Sequence, residues 1–496
     1  MINSIKTTIS AITIVTLLSG CLDFEELRVN PNDPSSVAPS LLLTEVLPRP
    51  SGAWGSTFEY AQYCLFVHAD SRTLDYDAYE WTQPGFSYGR LRNISKMESE
   101  AEKVNAPAYL ALAKFLKAYT FIEMARRHGD IPMSETLMAE EGVFEPVYDT
   151  QKQVFVRSLN LLNEANADLA NLIQNSPGLT VDGDVYFNGD LKQWQKIINA
   201  YTLRILITLS AKEEDTDLKV KERFAAIVNN PAQYPLLEGL EDNMQLTHKD
   251  EDGFRYSLNP NNASTIDGKV LGKTYVEMLK KYEDPRLFKV ADPTPASLEA
   301  DPDAASKFES YIGVDISKNN TDLINQKSAG NVSKPNNARY VNHKGEPSIF
   351  LGYVEQELTI AEAIHRGWFN GDAKMHFDNG VKASMKFYGV GEADIAAYLS
   401  GWAAYKTGEE GLVQLLEQKY IAYSQNSGWE AFFTQRRTGI PSFDVSVENS
   451  RSGQIPVRWR YPHSESQYNK TNLTEALNRQ FGGPVDDVLN PLWHLQ

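Results

Sequence analysis

Residues 106–132 read APAYLALAKFLKAYTFIEMARRHGDIP, and this stretch decides the fold. Leu112, Leu116, Tyr119 and Ile122 fall on one line at helical spacing, and Phe115, Ala118, Ile122 and Ala125 fall on a second. A helix with two apolar faces must be covered from two sides. Its end is also written in the sequence: His128 is a cation in the last turn, Gly129 takes the C′ position and Pro132 lies just beyond.

The same period returns on either side. Phe155, Leu159, Leu162 and Ala165 share a face between Thr150 and Leu172. Asp190 is a good N-cap for a helix whose stripe runs through Trp194, Ile197, Ile198, Tyr201, Ile205 and Leu209. Lys219 to Val228 is helical as well. After Gly352, Leu358, Ala361, Ala363 and Ile364 pack a helix that stops at Gly367. Asp372 caps the next, with Phe377, Val381, Ser384, Met385 and Tyr388 at helical spacing, so the two form an αα-hairpin. Gly411 to Tyr423 and Gly428 to Arg437 supply two more helices. From 239 to 341 the period breaks down into Asn, Asp, Gly, Pro and Ser, with one helical piece from Leu271 to Tyr282. Long irregular segments in compact proteins are often functional. The tail from Gly439 is irregular and rich in Pro. The fold class is therefore mainly α: helix pairs, tetratricopeptide-like though without the Trp-Leu-Gly-Tyr consensus, with long irregular insertions, in a single domain over 39–496.

The amino terminus reports location. Lys6 precedes an apolar run from Ile9 to Leu18, far shorter than the roughly 20 residues that span a bilayer. Residues 1–20 read as a secretory signal peptide. Leu18-Ser19-Gly20-Cys21 resembles the bacterial lipoprotein box. That resemblance implies a diacylglyceryl group on the Cys21 sulfur and a further acyl chain on the new amino terminus, and several chains anchor stably where one does not. Residues 21–38 form an acidic, polar tether. Asp23, Glu25 and Glu26 in it resemble the signal by which lipoproteins of Bacteroidota reach the cell surface, although placement on the inner leaflet of the outer membrane stays open. Asn30-Pro31-Asn32-Asp33-Pro34 is incompatible with a helix.

Net charge is −17, and loss of Lys6 with the leader makes it −18. Such a protein repels phosphate backbones, so nucleic acid is not expected as a partner. Cys21 and Cys64 are the only cysteines. With Cys21 acylated no internal disulfide forms, and Cys64, beside Tyr63, Leu65 and Phe66, reads as a buried inert thiol. The chain lacks His-Glu-x-x-His, a phosphate-binding loop and zinc-type cysteine pairing, so neither cofactor nor metal is expected. A glycosidase needs only two carboxylates, so a surface glycan hydrolase stays open as an alternative.

The remaining motifs read first as structure. Glu362 and Arg366 suit an i, i+4 ion pair. Glu430 and Arg437 share a helical face, and Arg436 and Arg437 are expected to tie the C-terminal segment to the helices. Asp182-Gly183-Asp184 and Asn188-Gly189-Asp190 faintly resemble a calcium loop but lack its glycine and terminal Glu, so a turn and a helix cap are favoured. For binding, a sugar offers flat C–H faces ringed by hydroxyls, which aromatic platforms flanked by amides, carboxylates or Arg would meet. Two segments have that make-up: Tyr76-Asp77-Ala78-Tyr79-Glu80-Trp81, leading to Tyr88, and Asp252-Gly253-Phe254-Arg255-Tyr256 with Asn259, Asn261 and Asn262. The candidate ligand residues are Trp54, Tyr79, Trp81, Tyr256, Asn259 and Asn261, and for the aromatics core packing is the competing reading.

Several strings, in order along the chain, resemble the SusD/RagB family of Bacteroidota outer-membrane lipoproteins, in its SusD-like branch. They are Asn30-Pro31-Asn32 with Pro39-Ser40-Leu41-Leu42-Leu43, His128-Gly129-Asp130-Ile131-Pro132, Gly189-Asp190-Leu191-Lys192-Gln193-Trp194 and Asp284-Pro285-Arg286-Leu287. Later come Ala361-Glu362-Ala363 with Arg366-Gly367, Ala383-Ser384-Met385, Arg436-Arg437-Thr438-Gly439-Ile440-Pro441, and Ile455-Pro456-Val457-Arg458 with Tyr461-Pro462. The resemblance implies a binding protein, not an enzyme, that sits as a lid on a SusC-type TonB-dependent transporter and passes it an oligosaccharide or, in some members, a peptide. It also implies that the helix pairs pack on the barrel and the irregular segments form the ligand-binding lobe. A helical-repeat scaffold that contacts only proteins is the remaining alternative.

Overall fold

The computed structural model describes residues 36–68, 85–449 and 451–496. Cys21, nearly all of the tether, Tyr79 and Trp81 lie outside the described residues.

The main helices are α1 (Pro39–Val46), α2 (Tyr88–Lys103), α3 (Pro107–His128), α4 (Gln151–Asn175), α5 (Leu191–Thr208) and α6 (Val220–Asn229) in the first half. The second half carries α7 (Lys273–Lys281), α8 (Tyr353–His365), α9 (Ala373–Phe387), α10 (Glu392–Ser400), α11 (Gly408–Ala422), α12 (Glu430–Thr438) and α13 (Lys470–Phe481). The architecture is mainly α, as the periodicity predicts. Local signals set the boundaries. Pro107 sits in the first turn of α3, and Gly129 ends that helix at φ +106°, where a side chain is rarely tolerated. Thr150 and Gln153 form a capping box on α4. Asp190 accepts from the Lys192 amide at 2.8 Å, and Asp372 from that of Met375 at 2.9 Å. His128 is the exception to its expected role. It is buried, and burial, with Arg458 and Arg127 nearby, lowers its pKa to about 3, so the ring is neutral and cannot serve as a terminal cation.

Helix α3 packs on α2 and α4, α4 on α5, α8 on α9 and α11, and α5 on α8. The apolar faces form one large core among α1–α6 and another under α7–α12. Buried ion pairs stitch the seam between them. Arg204 of α5 meets Glu355 of α8 at 2.5 and 2.6 Å, and Arg126 of α3 meets Glu430 of α12 at 2.8 and 2.7 Å. Glu362 is fully buried and takes Arg366 at 3.0 Å, Lys419 at 3.1 Å and Arg437 at 2.7 Å. It is thus the hub of a network, not merely half of a surface pair. Burial opposes its ionisation, but Arg437, Lys419 and Arg366 outweigh it and hold the carboxyl well below the ordinary range. Arg436 donates to the Val457 carbonyl at 2.9 Å and so ties down the C-terminal segment, as expected.

The irregular segment is held at two places by two-stranded antiparallel ribbons. Strand β2 (Met244–Leu246) pairs with β4 (Ser348–Leu351), and β3 (Lys269–Leu271) pairs with β1 (Cys64–Phe66), with Cys64 opposite Leu271. Cys64 is buried, and burial pushes its thiol up to about 12, which makes it inert. Among the described residues no helix is long and apolar enough to cross a membrane.

Candidate ligand-binding surface

The two ribbons fix both ends of the loop 247–268 and leave its middle free to face water. One residue nails that middle down. Tyr256 is fully buried and its hydroxyl accepts from Trp54 Nε1 at 3.0 Å. Its ring lies edge-on to His248 at 5.2 Å and stacks on Tyr340 at 6.3 Å, while Trp54 meets Tyr340 edge-on at 4.8 Å. A Cβ on Gly345 would lie 2.2 Å from the Tyr256 ring, so the backbone has closed over it. The Tyr256 amide donates to His343 O at 2.9 Å, and Ser257 Oγ to Ala53 O at 2.8 Å.

Trp54 and Tyr256 are therefore corrected from ligand contacts to core. The structure brings them together, but inside the protein, where neither offers a face to a ligand. Loop-like flanks suggested exposure; the ring areas and the Trp54–Tyr256 hydrogen bond explain why both are buried instead. Asn259 is half-buried, and its amide donates to Tyr256 O at 2.6 Å while its Oδ1 accepts from the Asn261 amide at 3.1 Å. It holds the turn after the buried tyrosine. Asn261 is exposed.

The exposed part is the preceding turn. Phe254 N donates to Glu251 O at 3.0 Å and Lys249 N to Phe254 O at 3.0 Å, which folds 249–254 tightly and leaves the Phe254 ring 60% exposed. Arg255 Nε donates to Asp250 at 2.8 Å, its Nη1 meets Asp252, and His343 Nδ1 lies 3.2 Å from Asp250. The hydrogen bond from Arg255 holds the Asp250 carboxyl below its ordinary value. One open aromatic ring beside an ordered guanidinium–carboxylate group can stack on a sugar face and bond its hydroxyls. Phe254 is the exposed ring of the candidate segment, and its place one residue after Gly253, at the tip between Asp252 and Arg255, is the sequence signal for it.

The Asp184 loop is a turn, as favoured. The Asp184 carboxylate accepts from the amides of Tyr186, Phe187 and Gly189 at 2.8, 3.1 and 3.0 Å and from Trp194 Nε1 at 3.0 Å, which leaves it committed to protein donors. Among the described residues no group of three or more His, Cys, Asp or Glu side chains is placed to hold a metal ion.

The SusD-like family profile, described as starch-binding and associating with the outer membrane, matches residues 31–462. A SusD homologue of Bacteroides fragilis is 34% identical with a TM-score of 0.84, over 93% of this chain and 100% of its own. An outer-membrane protein of Bacteroides vulgatus, whose description points to nutrient binding, is 35% identical with a TM-score of 0.81 over the same shares. A chitin-binding SusD homologue of Flavobacterium johnsoniae shares the fold, with a TM-score of 0.72 at 18% identity over 92% of this chain and 98% of its own. No curated protein matches the chain. A match of this length and identity leaves one conclusion: the chain belongs to the SusD-like family of starch-binding proteins that associate with the outer membrane.

Proposed function

We propose that this protein captures a nutrient oligosaccharide outside the cell, held to the outer membrane by acyl chains on Cys21, and delivers it to a SusC-type TonB-dependent transporter. The observation that carries the reading is the family match along almost the whole chain. The 247–268 loop supports it, because Phe254 presents an aromatic face beside Arg255 and Asp250 on a support that Tyr256 makes rigid. Capture is non-covalent and requires no chemistry. Tyr79, Trp81 and Asn261 are further proposed contacts.

The chitin-binding relative makes chito-oligosaccharides the first probes, with malto-oligosaccharides second. Calorimetric titration of the soluble chain should show binding to at least one series. Phe254→Ala should weaken it tenfold or more and leave the melting temperature unchanged. Binding of peptides with no glycan bound would replace the oligosaccharide by a peptide ligand. Turnover of the glycan by purified protein would refute passive capture. Cys21→Ala should release the protein from the membrane fraction; continued tight association would remove the lipid anchor.

A further inference from the structure

A groove of about 600 Å³ lies between α7 and α11, beside the 401–407 turn, on different elements from the 247–268 loop. Its size is within the roughly 300–1,000 Å³ of small-molecule sites. Trp402 lines it and is 53% exposed, whereas Tyr282 on the same groove is nearly buried. A half-open indole forgoes a large area of burial, so the question is whether the turn merely dangles. It does not. The amide of Ala403 donates to Tyr398 O at 2.9 Å, Gln414 Nε2 donates to Ala404 O at 2.9 Å, and the Gln414 carbonyl accepts from the Lys406 amide at 3.0 Å. The Tyr405 hydroxyl lies 2.9 Å from His365 Nδ1. Four consecutive residues after Trp402 are pinned, so the turn that carries the exposed ring is fixed.

The groove's polar groups are set with equal care. Lys281 Nζ donates to both Glu417 oxygens at 2.7 and 2.6 Å, and the Tyr282 hydroxyl donates to Glu417 Oε2 at 2.5 Å. This fixes a carboxylate, an ammonium and a phenol at one side. At the rim Lys406 and Glu410 touch only at 3.4 Å and both are exposed, which leaves donors and acceptors available. Two lysines against Glu409, Glu410 and Glu417 nearly balance in charge. Such a groove suits a neutral polyol with a flat apolar face over an ion.

We infer that the Trp402 groove is a second glycan-binding site, in which a pyranose ring stacks on the indole and its hydroxyls bond the lysine–glutamate rim. The inference rests on the nutrient-glycan reading of this protein. Native mass spectrometry of the soluble chain with chitotriose and maltotriose, too short to bridge two sites, tests it. Wild type should bind two molecules, Trp402→Ala and Phe254→Ala one each, and the double variant none, all with the same melting temperature. Trp402→Phe should restore part of the second event. If Trp402→Ala keeps wild-type stoichiometry and affinity, the groove is not a glycan site, while the function proposed above stands. If wild type binds neither sugar and no other glycan, both readings fall. If Trp402→Ala spares glycan binding but weakens assembly with a membrane partner, the groove is a protein contact and the inference is overturned.

Discussion

The two large cores use different side chains. Among the described residues, the core of α1–α6 buries one tyrosine, Tyr201, and the core under the irregular lobe buries ten. The backbone explains the difference. Helix carbonyls are bonded within the helix, so their core asks only for apolar volume, and Leu, Ile and Ala supply it. Irregular backbone leaves carbonyls that need a donor once buried. A tyrosine buries a ring and brings the donor with it. Tyr420 donates to Ala61 O at 2.9 Å, Tyr388 to Ser424 O at 3.0 Å and Tyr311 to Ala305 O at 2.9 Å. The hydroxyl of Tyr201, in the helical core, has no partner, and in the lobe core that of Tyr340 has none either, so the donors serve part of the lobe's tyrosines and not all. In this fold a tyrosine in loop-like sequence is therefore as readily a structural anchor as a ligand platform, and Tyr256, whose hydroxyl accepts from Trp54, is such a case.

The sharpest test lies at Asp284. Arg286, fully buried in the lobe core, donates to Asp284 through Nε at 2.9 Å and Nη2 at 2.6 Å, and reaches Ser384 at 2.9 Å and Gln418 at 2.8 Å. Tyr398 donates to the same carboxylate at 2.7 Å. Asp284→Ala strands a buried guanidinium and should cost about 3–5 kcal/mol. Ile198→Val in the helical core should cost about 0.5–1.5 kcal/mol. Urea unfolding measures both. A loss at Asp284 no larger than that at Ile198 would break the claim that the lobe is held by polar groups.

A second test separates the cores from the segment that clamps them. His128, on α3, faces the C-terminal segment: its Nδ1 lies 2.9 Å from Arg460 O and its ring stacks on Tyr461 at 5.8 Å. His494, on that segment, is held well below its ordinary value by burial and by Arg436, Arg126, Lys212 and Arg437. For both, the folded-state pKa is depressed, to about 3 in His128, so the unfolded chain takes up its proton first. Stability is complete above about pH 6.5, the value for an unperturbed histidine, and each ring removes about 1.4 kcal/mol per pH unit as the pH falls below it. His128→Phe should flatten the stability profile between pH 6.5 and 4.5 by about 2–3 kcal/mol, read by urea unfolding at each pH. An unchanged slope would mean that His128 is charged in the fold or plays no part.

These contrasts also show what could be read from the chain. Helices α3, α4, α5, α8 and α9 were legible because long stripes and caps agree. Helices α10 and α13 were not. The first buries only Ile395 and Tyr398, and the second only Leu473, Ala476 and Leu477, too few to mark a period in polar sequence. For the candidate site, the segment around Phe254 was legible by composition. The burial of Trp54 and Tyr256 was not, because it depends on His343, Gly345 and Tyr340, which lie more than 80 residues from Tyr256 in sequence. Trp402 follows Gly401 in a stretch with no period, so its exposure appears only once the turn is folded.

The smallest expected effect is the most direct probe of why tyrosines gather in the lobe. Tyr388→Phe keeps the ring and removes the donor to Ser424 O, a buried carbonyl in the turn between α11 and α12. An acceptor left unpaired in the interior should cost about 1–3 kcal/mol. Tyr201→Phe removes a hydroxyl that bonds nothing in its own core, so its stability should stay within about 0.5 kcal/mol of wild type or rise, since a buried unpaired polar atom is itself unfavourable. Equal losses at the two sites, by urea unfolding, would assign the tyrosine enrichment to ring packing. A loss at Tyr388 alone assigns it to the carbonyls, and then the hydroxyls are what allow irregular backbone to be buried beneath the proposed ligand surface at all.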